Sequence, residues 1–427
     1  MTKTLQLHCK FIFTMFFSFI IAGLSLIAIP AVSKIQELNF ILLLNSTFLL
    51  FVTLGSVLCI LILTGFKPKP GRKIEGAQMV ANFKLAAYGS LSGILMMSYD
   101  RVFIRGIDYT QGLRASRYEW LDTTGGSLSS ILGNLLVHLA YYGIFLCVAH
   151  GYKVTKNMRY FVMLSSLVGI FGHAALNGGR SNILLAIVIF IIARVVRRAP
   201  KEIESRIVKR SRWAWLSGLI ILVIAVRYVA YIIQSSADIG GVDLKTITYL
   251  GIDMLYGKET DFFHKIGGVN ESLYFPIYAL AYLYHGNWTS QIAFAISQRP
   301  GSYVFFPISV ILNNMGILDK PLEPGYFSDV GAFISLPGAF FYDFSWVGVV
   351  VLSTLLGFLV GLSILFAGAG RVGSIKMAVI LYALYMTILA PIVPGYGFAY
   401  LNFIVFAFVM ADFFNSIIYG RRTCFLS

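Results

Sequence analysis

Residues 100–126 read DRVFIRGIDYTQGLRASRYEWLDTTGG: four arginines (Arg101, Arg105, Arg114, Arg117) stand among three aspartates (Asp100, Asp108, Asp122), Glu119, aromatics and glycines. A guanidinium stays charged at any physiological pH and offers a planar fork that matches two phosphate oxygens at once. Arginines at this density therefore suit a phosphate or diphosphate group. The aspartates beside them either hold the arginines in place or accept a proton, which makes Asp100 and Asp108 candidate bases. An interfacial loop with surface ion pairs is the other reading of the same residues.

Two further segments carry chemistry of the same kind. Asn177-Gly178-Gly179-Arg180-Ser181 separates two apolar runs. Glycines let backbone amides approach a ligand closely, and a helix N-terminus favours an anion, so Arg180 is a candidate phosphate ligand. The alternative is a tight turn with an arginine reaching to the interface. The polar and mixed stretch 234–343 is far longer than a connector needs. Inside it, ESLYFPIYALAYLYHG (271–286) is rich in tyrosine, short and interrupted by proline, and reads as an interfacial or re-entrant helix. Tyr274, Tyr278 and Tyr282, with Tyr326 further on, offer aromatic faces on which sugar rings stack; membrane-interface anchoring explains them equally. Arg299 lies in a polar turn of the same stretch and is a further phosphate candidate, while Asp329 and His264 are further proton-transfer candidates. His173, near the end of an apolar run and close to Arg180, reads as an interhelical hydrogen-bonding residue.

Something must position these groups, and composition says what. Hydrophobic residues make up 58% of the 427-residue chain and charged residues 12%, against about 25% charged in soluble domains. Lipid is the solvent for most of this surface. A helical span needs about 20 apolar residues, and runs of that order recur at 11–29, 40–66, 83–99, 128–149, 160–176, 182–196, 213–233, 344–367, 377–392 and 398–418. The first reads as an uncleaved helix rather than a signal peptide, its apolar stretch being long for that role. The chain is thus expected to be one integral membrane domain over residues 1–427, all-α, with about ten (10–12) transmembrane helices.

The formal net charge of +15 invites a nucleic-acid reading, and the placement of the charges argues against it. With the N-terminus inside, alternating loops put 22 of the 34 Lys and Arg but only 4 of the 19 acids on the inner side. This is the bias that orients membrane proteins, so no nucleic-acid partner is expected. Both termini are expected inside, and loop 234–343 outside. None of the four cysteines falls in an outer loop, and no metal-ligand spacing occurs, so neither a disulfide framework nor a metal is expected. The chain has no Walker loop, no Asp-x-Asp and no His-x4-Asp, so no cofactor is expected and nucleotide-driven transport is disfavoured.

Three features resemble Wzy-type O-antigen polymerases, the oligosaccharide repeat-unit polymerase group. One is the Gly178-Gly179-Arg180-Ser181 turn. Another is Tyr342-Asp343-Phe344-Ser345-Trp346-Val347-Gly348-Val349, similar to the family's "[DN]-F-G-x-x-G-V" opening of a late helix and followed by Gly357 and Gly361; Ser345 stands where the family usually has glycine. The third is the layout, with one long outer loop between middle and late helices. The resemblance implies a GT-C-like polytopic fold in the bacterial inner membrane, acting at the periplasmic face. The implied reaction moves a growing glycan from undecaprenyl diphosphate onto a new lipid-linked repeat unit, without metal or nucleotide. Implied partners are the lipid-linked oligosaccharide, membrane lipid, a chain-length regulator and a flippase. An O-antigen ligase, and a flippase or transporter of lipid-linked oligosaccharide, are the competing readings.

Overall fold

The computed structural model describes residues 2–28, 31–32, 38–63, 76–122, 127–177, 181–197, 274–295, 301–306, 334–368, 374–393 and 399–418, with isolated positions between 223 and 322. Their ordered backbone is helical apart from a two-residue antiparallel pairing of Ala31–Val32 (β1) with Lys258–Glu259 (β2). Long apolar runs become helices because lipid offers nothing to backbone N–H and C=O groups, which a helix satisfies within itself. Five helices among the described residues are long and apolar enough to cross a membrane: Leu5–Leu24, Leu38–Ile62, Leu128–Ala149, Lys156–Asn177 and Leu336–Ala367. Their outward faces carry exposed Phe13, Ile20, Leu42, Leu43, Leu61, Leu164 and Leu355. This is the surface of a membrane protein. The run at 213–233 lies mostly outside the described residues.

The chain divides into two compact units: residues 1–69, 243–369 and 382–401 form the first, and residues 70–242, 370–381 and 402–427 the second. The first unit is built on α1 (Thr2–Ala28), α2 (Leu38–Ile62), α9 (Tyr274–Ala295) and α10 (Leu336–Gly368). Its core joins Phe40, Leu44, Phe48 and Val52 of α2 to Phe340, Phe341, Val349 and Leu356 of α10, with Met15 of α1. The backbones of α2 and α10 nearly touch, because a Cβ at Gly357 would collide with the Val52 carbonyl and one at Gly361 with the Ser56 carbonyl. Small residues four apart are how membrane helices gain close packing where no hydrophobic force draws them together.

α10 is two helices joined at a kink. Phe344 (φ −141°, ψ 15°) and Ser345 (φ 57°, ψ −157°) leave helical geometry, and a side chain at Gly348 would meet the Phe340 carbonyl. Asp343, at the kink, is 1% exposed. Its carboxylate accepts from Tyr303 N at 3.1 Å, Val304 N at 2.7 Å and Ser302 Oγ at 3.2 Å. The carboxylate thus fastens the turn at 301–306 to the kink. α9 is continuous from Tyr274 through Gly286 to Ala295, where the sequence suggested a short, proline-broken element. Pro276 sits in its first turn, where a missing N–H breaks no helical bond.

The second unit comprises α3 (Gly76–Tyr99), α4 (Leu113–Asp122), α5 (Leu128–Val137), α6 (Leu139–Ala149), α7 (Lys156–Asn177), α8 (Ser181–Val196) and residues 402–418 of α12 (Ala399–Ile418); α11 (Ser374–Leu389) is divided between the two units. α3 packs on α6 and α7 around Met79, Phe83, Ala86, Leu146 and Val162, and on α5 through Ile94, Met97 and Val137. Ser90 Oγ donates to the Ser165 carbonyl at 2.9 Å, an interhelical bond that needs no charge.

Candidate functional site: a buried arginine cluster at the end of two helices

α3 does not simply stop at Tyr99. It continues as a π-helical turn, Asp100–Ile104, in which the Arg105 N–H reaches the Asp100 carbonyl at 2.9 Å. One extra residue per turn rotates the side chains off the helical register, a distortion common at functional sites. Here it turns Asp100 and Arg101 inward, at 0% and 3% exposure, while Phe103 is 75% exposed. Polar groups thus face the protein and apolar ones face outward, from one short segment.

The inward groups are tightly held. Arg105 Nε pairs with Asp100 Oδ2 at 2.9 Å, and Ser127 Oγ donates to Asp100 Oδ1. Both carboxylate oxygens are therefore engaged, so Asp100 orients Arg105 and is poorly placed to accept a substrate proton. The Arg101 guanidinium lies 3.7 Å over the Trp120 ring and donates to Asn177 Oδ1 at 3.2 Å. Tyr109 Oη donates to the Leu176 carbonyl at 3.1 Å, and burial pushes the phenol above its ordinary value, so it stays a donor at neutral pH. Segment 100–122 is thereby tied to the last two residues of α7. Asn177 is followed in sequence by Gly178-Gly179-Arg180, and α8 begins at Ser181.

Asp108 does something else. It accepts from Thr110 N at 2.8 Å, Thr110 Oγ1 at 2.6 Å and Gln111 Nε2 at 3.2 Å, closing the Tyr109–Gln111 turn. Those Thr110 bonds hold its carboxyl below the usual carboxylate range. A depressed pKa makes a weak general base. Gly112 ends the turn at φ 99°, a conformation that favours glycine. Arg117 on α4 is half-buried and Glu119 exposed, and Glu119 accepts from the Asp108 N–H at 3.2 Å.

Of the residues singled out by sequence, the structure brings Asp100, Arg101 and Arg105 into one cluster, with Asp108 and Arg117 on the same segment. Two guanidiniums and the Asp100 carboxylate thus meet in one cluster. An anion at its outer edge would be held by charge and by fork geometry together. Tyr274 is fully buried inside the first unit and Tyr278 is half-buried. Arg180, His264, Arg299, Tyr326 and Asp329 lie outside the described residues, as do the side chains of Arg114 and Tyr282. Trp120, Asn177 and Ser127 were not separately singled out by sequence, although Asn177 adjoins the Gly-Gly-Arg-Ser turn; nothing local marks an asparagine as the partner of an arginine far away in the chain. Among the described residues no three His, Cys, Asp or Glu side chains group as a metal site. Comparison of the chain with protein-family models, with curated proteins and with solved structures finds no match.

Proposed function

We propose that this chain is a polymerase of undecaprenyl-diphosphate-linked oligosaccharide repeat units, acting at the periplasmic face of a bacterial inner membrane. The observation that carries the reading is the buried Arg101–Asp100–Arg105 cluster, tied to the residues that lead into Gly178-Gly179-Arg180-Ser181. Segment 100–117, rich in arginine, is bonded to Asn177, three residues before Arg180 in the sequence, and this supports a diphosphate site. The charge asymmetry of the loops supports inside termini, the recurring apolar runs support about ten spans, and the resemblance implies a GT-C-like arrangement.

In this reading a hydroxyl of the incoming lipid-linked unit attacks the anomeric carbon of the growing glycan. The bond from that carbon to the diphosphate oxygen breaks, and undecaprenyl diphosphate leaves with the electron pair. Arg101, Arg105 and Arg180, with Arg114, Arg117 and Arg299 behind them, stabilise the negative charge that develops on the leaving group. The hydroxyl proton passes to an acceptor. Asp100 and Asp108 are already engaged elsewhere, which favours Asp329 or His264 for that role. A chain-length regulator and a flippase are the protein partners this reaction calls for.

A second reading, a flippase of lipid-linked oligosaccharide, is favoured by one observation. His138 and His173 are buried with ring centroids 5.1 Å apart, inside the helices of the second unit, and ionisable groups inside membrane helices often line transport paths. The size profile of surface polysaccharide from a deletion strain separates the readings. A single-repeat band replacing the long-chain ladder supports the polymerase. Lipid-linked single units accumulating on the cytoplasmic side would mean a flippase. Lipid-linked polymer accumulating outside, unattached, would mean a ligase.

A further inference from the structure

α9 is enclosed by α1, α2 and α10, yet its centre is polar where an enclosed membrane helix ordinarily carries leucine. At 3.6 residues per turn, Tyr284, Asn287, Trp288 and Gln291 fall within one sector of roughly 100° over two turns. Asn45 of α2 meets that sector, its Nδ2 donating to Asn287 Oδ1 at 3.0 Å. Asn287 is 3% exposed and Trp288 8%.

The Thr289 and Ser290 hydroxyls of α9 are satisfied locally: Thr289 Oγ1 donates to the His285 carbonyl at 3.0 Å, and Ser290 Oγ to the Gly286 carbonyl at 2.7 Å. Asn45 Oδ1, Trp288 Nε1 and Gln291 Oε1 are different. All three are buried and meet no hydrogen-bond partner among the described residues. A buried polar atom left without a partner is costly, and protein structures rarely keep one without a reason. Two such atoms on one sector of α9, with a third facing that sector from α2, suit a place completed by a bound molecule.

The chemistry of the place restricts what completes it. Two carbonyl oxygens accept, an indole N–H donates, and tyrosine and tryptophan rings lie beside them. Neither α9 nor α2 contains Asp, Glu, Lys or Arg, so an anion would find no counter-charge here. A ligand with many hydroxyls and an apolar ring face fits. We propose that this face of α9, with Asn45, binds a neutral sugar unit of a glycan. That the sugar belongs to a lipid-linked repeat unit rests on the polymerase reading; its neutral, hydroxyl-rich class does not. The aromatic platform of Tyr284 and Trp288 thus sits about three to four turns further along the helix than the buried Tyr274.

The test uses the full-length protein in lipid nanodiscs. The probe is the oligosaccharide released by mild acid from the host's own surface polysaccharide, read by saturation-transfer NMR of the glycan protons. The wild type is expected to bind saturably. Gln291→Leu and Trp288→Phe, which keep shape but remove a polar atom, are expected to bind about tenfold more weakly, and excess inorganic diphosphate should not displace the glycan. Asn45→Ser is the substitute if either variant fails to fold, with thermal midpoints as the control. Three outcomes overturn the proposal: no saturable signal in the wild type, unchanged binding in folded variants (the polar atoms then serve bound water alone), or displacement by diphosphate. Glycan binding with a normal ladder in the deletion strain would retire only the polymerase reading. Loss of the ladder with no glycan binding would retire only this site.

Discussion

Replacing Ser345 by glycine should stabilise the protein. Ser345 has φ 57° and ψ −157°, a region open essentially to glycine alone, and holding another residue there costs on the order of 1–3 kcal/mol. The strain persists because the surroundings over-determine it. Asp343 binds the turn at 302–304 on one side of the kink, and Gly348 lies against the Phe340 carbonyl on the other. Glycine removes the steric cost but adds about 0.4–1 kcal/mol of backbone freedom to the unfolded chain. The net gain is about 1–2 kcal/mol, or about 2–4 °C in midpoint per kcal/mol for a domain of moderate size. Thermal unfolding of the purified protein in detergent reads it directly, with Ser345→Ala as the control, since alanine keeps the strain and removes only the hydroxyl. A glycine variant no more stable than wild type, beside an alanine variant weakened by more than about 1 kcal/mol, would refute the reasoning. The hydroxyl, and not the backbone, would then hold the kink.

Three further predictions follow from named contacts. Arg101→Lys keeps the charge but loses the planar contact with Trp120 and the bond to Asn177; long-chain polysaccharide should fall about 10- to 100-fold at unchanged protein level, since stacked, forked guanidiniums are not replaced by ammonium, and a normal ladder would remove Arg101 from the site. Asp343→Ala strands the N–H groups of Tyr303 and Val304 and should destabilise the fold by about 2–4 kcal/mol, with Asp343→Asn losing less because one acceptor oxygen remains; equal losses in thermal unfolding would contradict this. His150, beyond the end of the span Leu128–Ala149, is held by burial and by Lys153 at about 4 instead of 6.5. The unfolded chain then takes up a proton that the folded one refuses. Stability is full above about pH 6.5 and declines toward pH 4, by up to about 3 kcal/mol. His150→Gln should flatten that slope in thermal unfolding across the same window, and an unchanged slope would place its origin elsewhere.

What the sequence made legible follows from what local chemistry can express. Apolar runs such as 40–66 and 344–367 become α2 and α10 because backbone in lipid has few alternatives. α9 was harder to read for a physical reason. Its central His285-Gly286-Asn287-Trp288 lowers local hydropathy, and Pro276 reads as a break until the helix start at Tyr274 is known. The arginine density at 100–117 was plain, but not which arginine is buried. That depends on the π turn at Asp100, which rotates Arg101 inward and leaves Phe103 outside. Partners such as Asn177 for Arg101, and 302–304 for Asp343, come from parts of the chain far from the residues they bind, and no local pattern encodes them. Asp108 looked like a base by residue type; its hydrogen bonds to Thr110 make it the cap of a turn.

The most direct test of the central claim is reconstitution. Purified protein in nanodiscs is given undecaprenyl-diphosphate-linked single repeat units, with no nucleotide sugar and no lipid A core, and the products are resolved by size. The account predicts lipid-linked oligomers of two or more repeats and one released undecaprenyl diphosphate per linkage formed, with both lost together in Arg101→Lys. Repeat units that stay single while the protein remains folded, or oligomers that form equally well with Arg101→Lys, would contradict it.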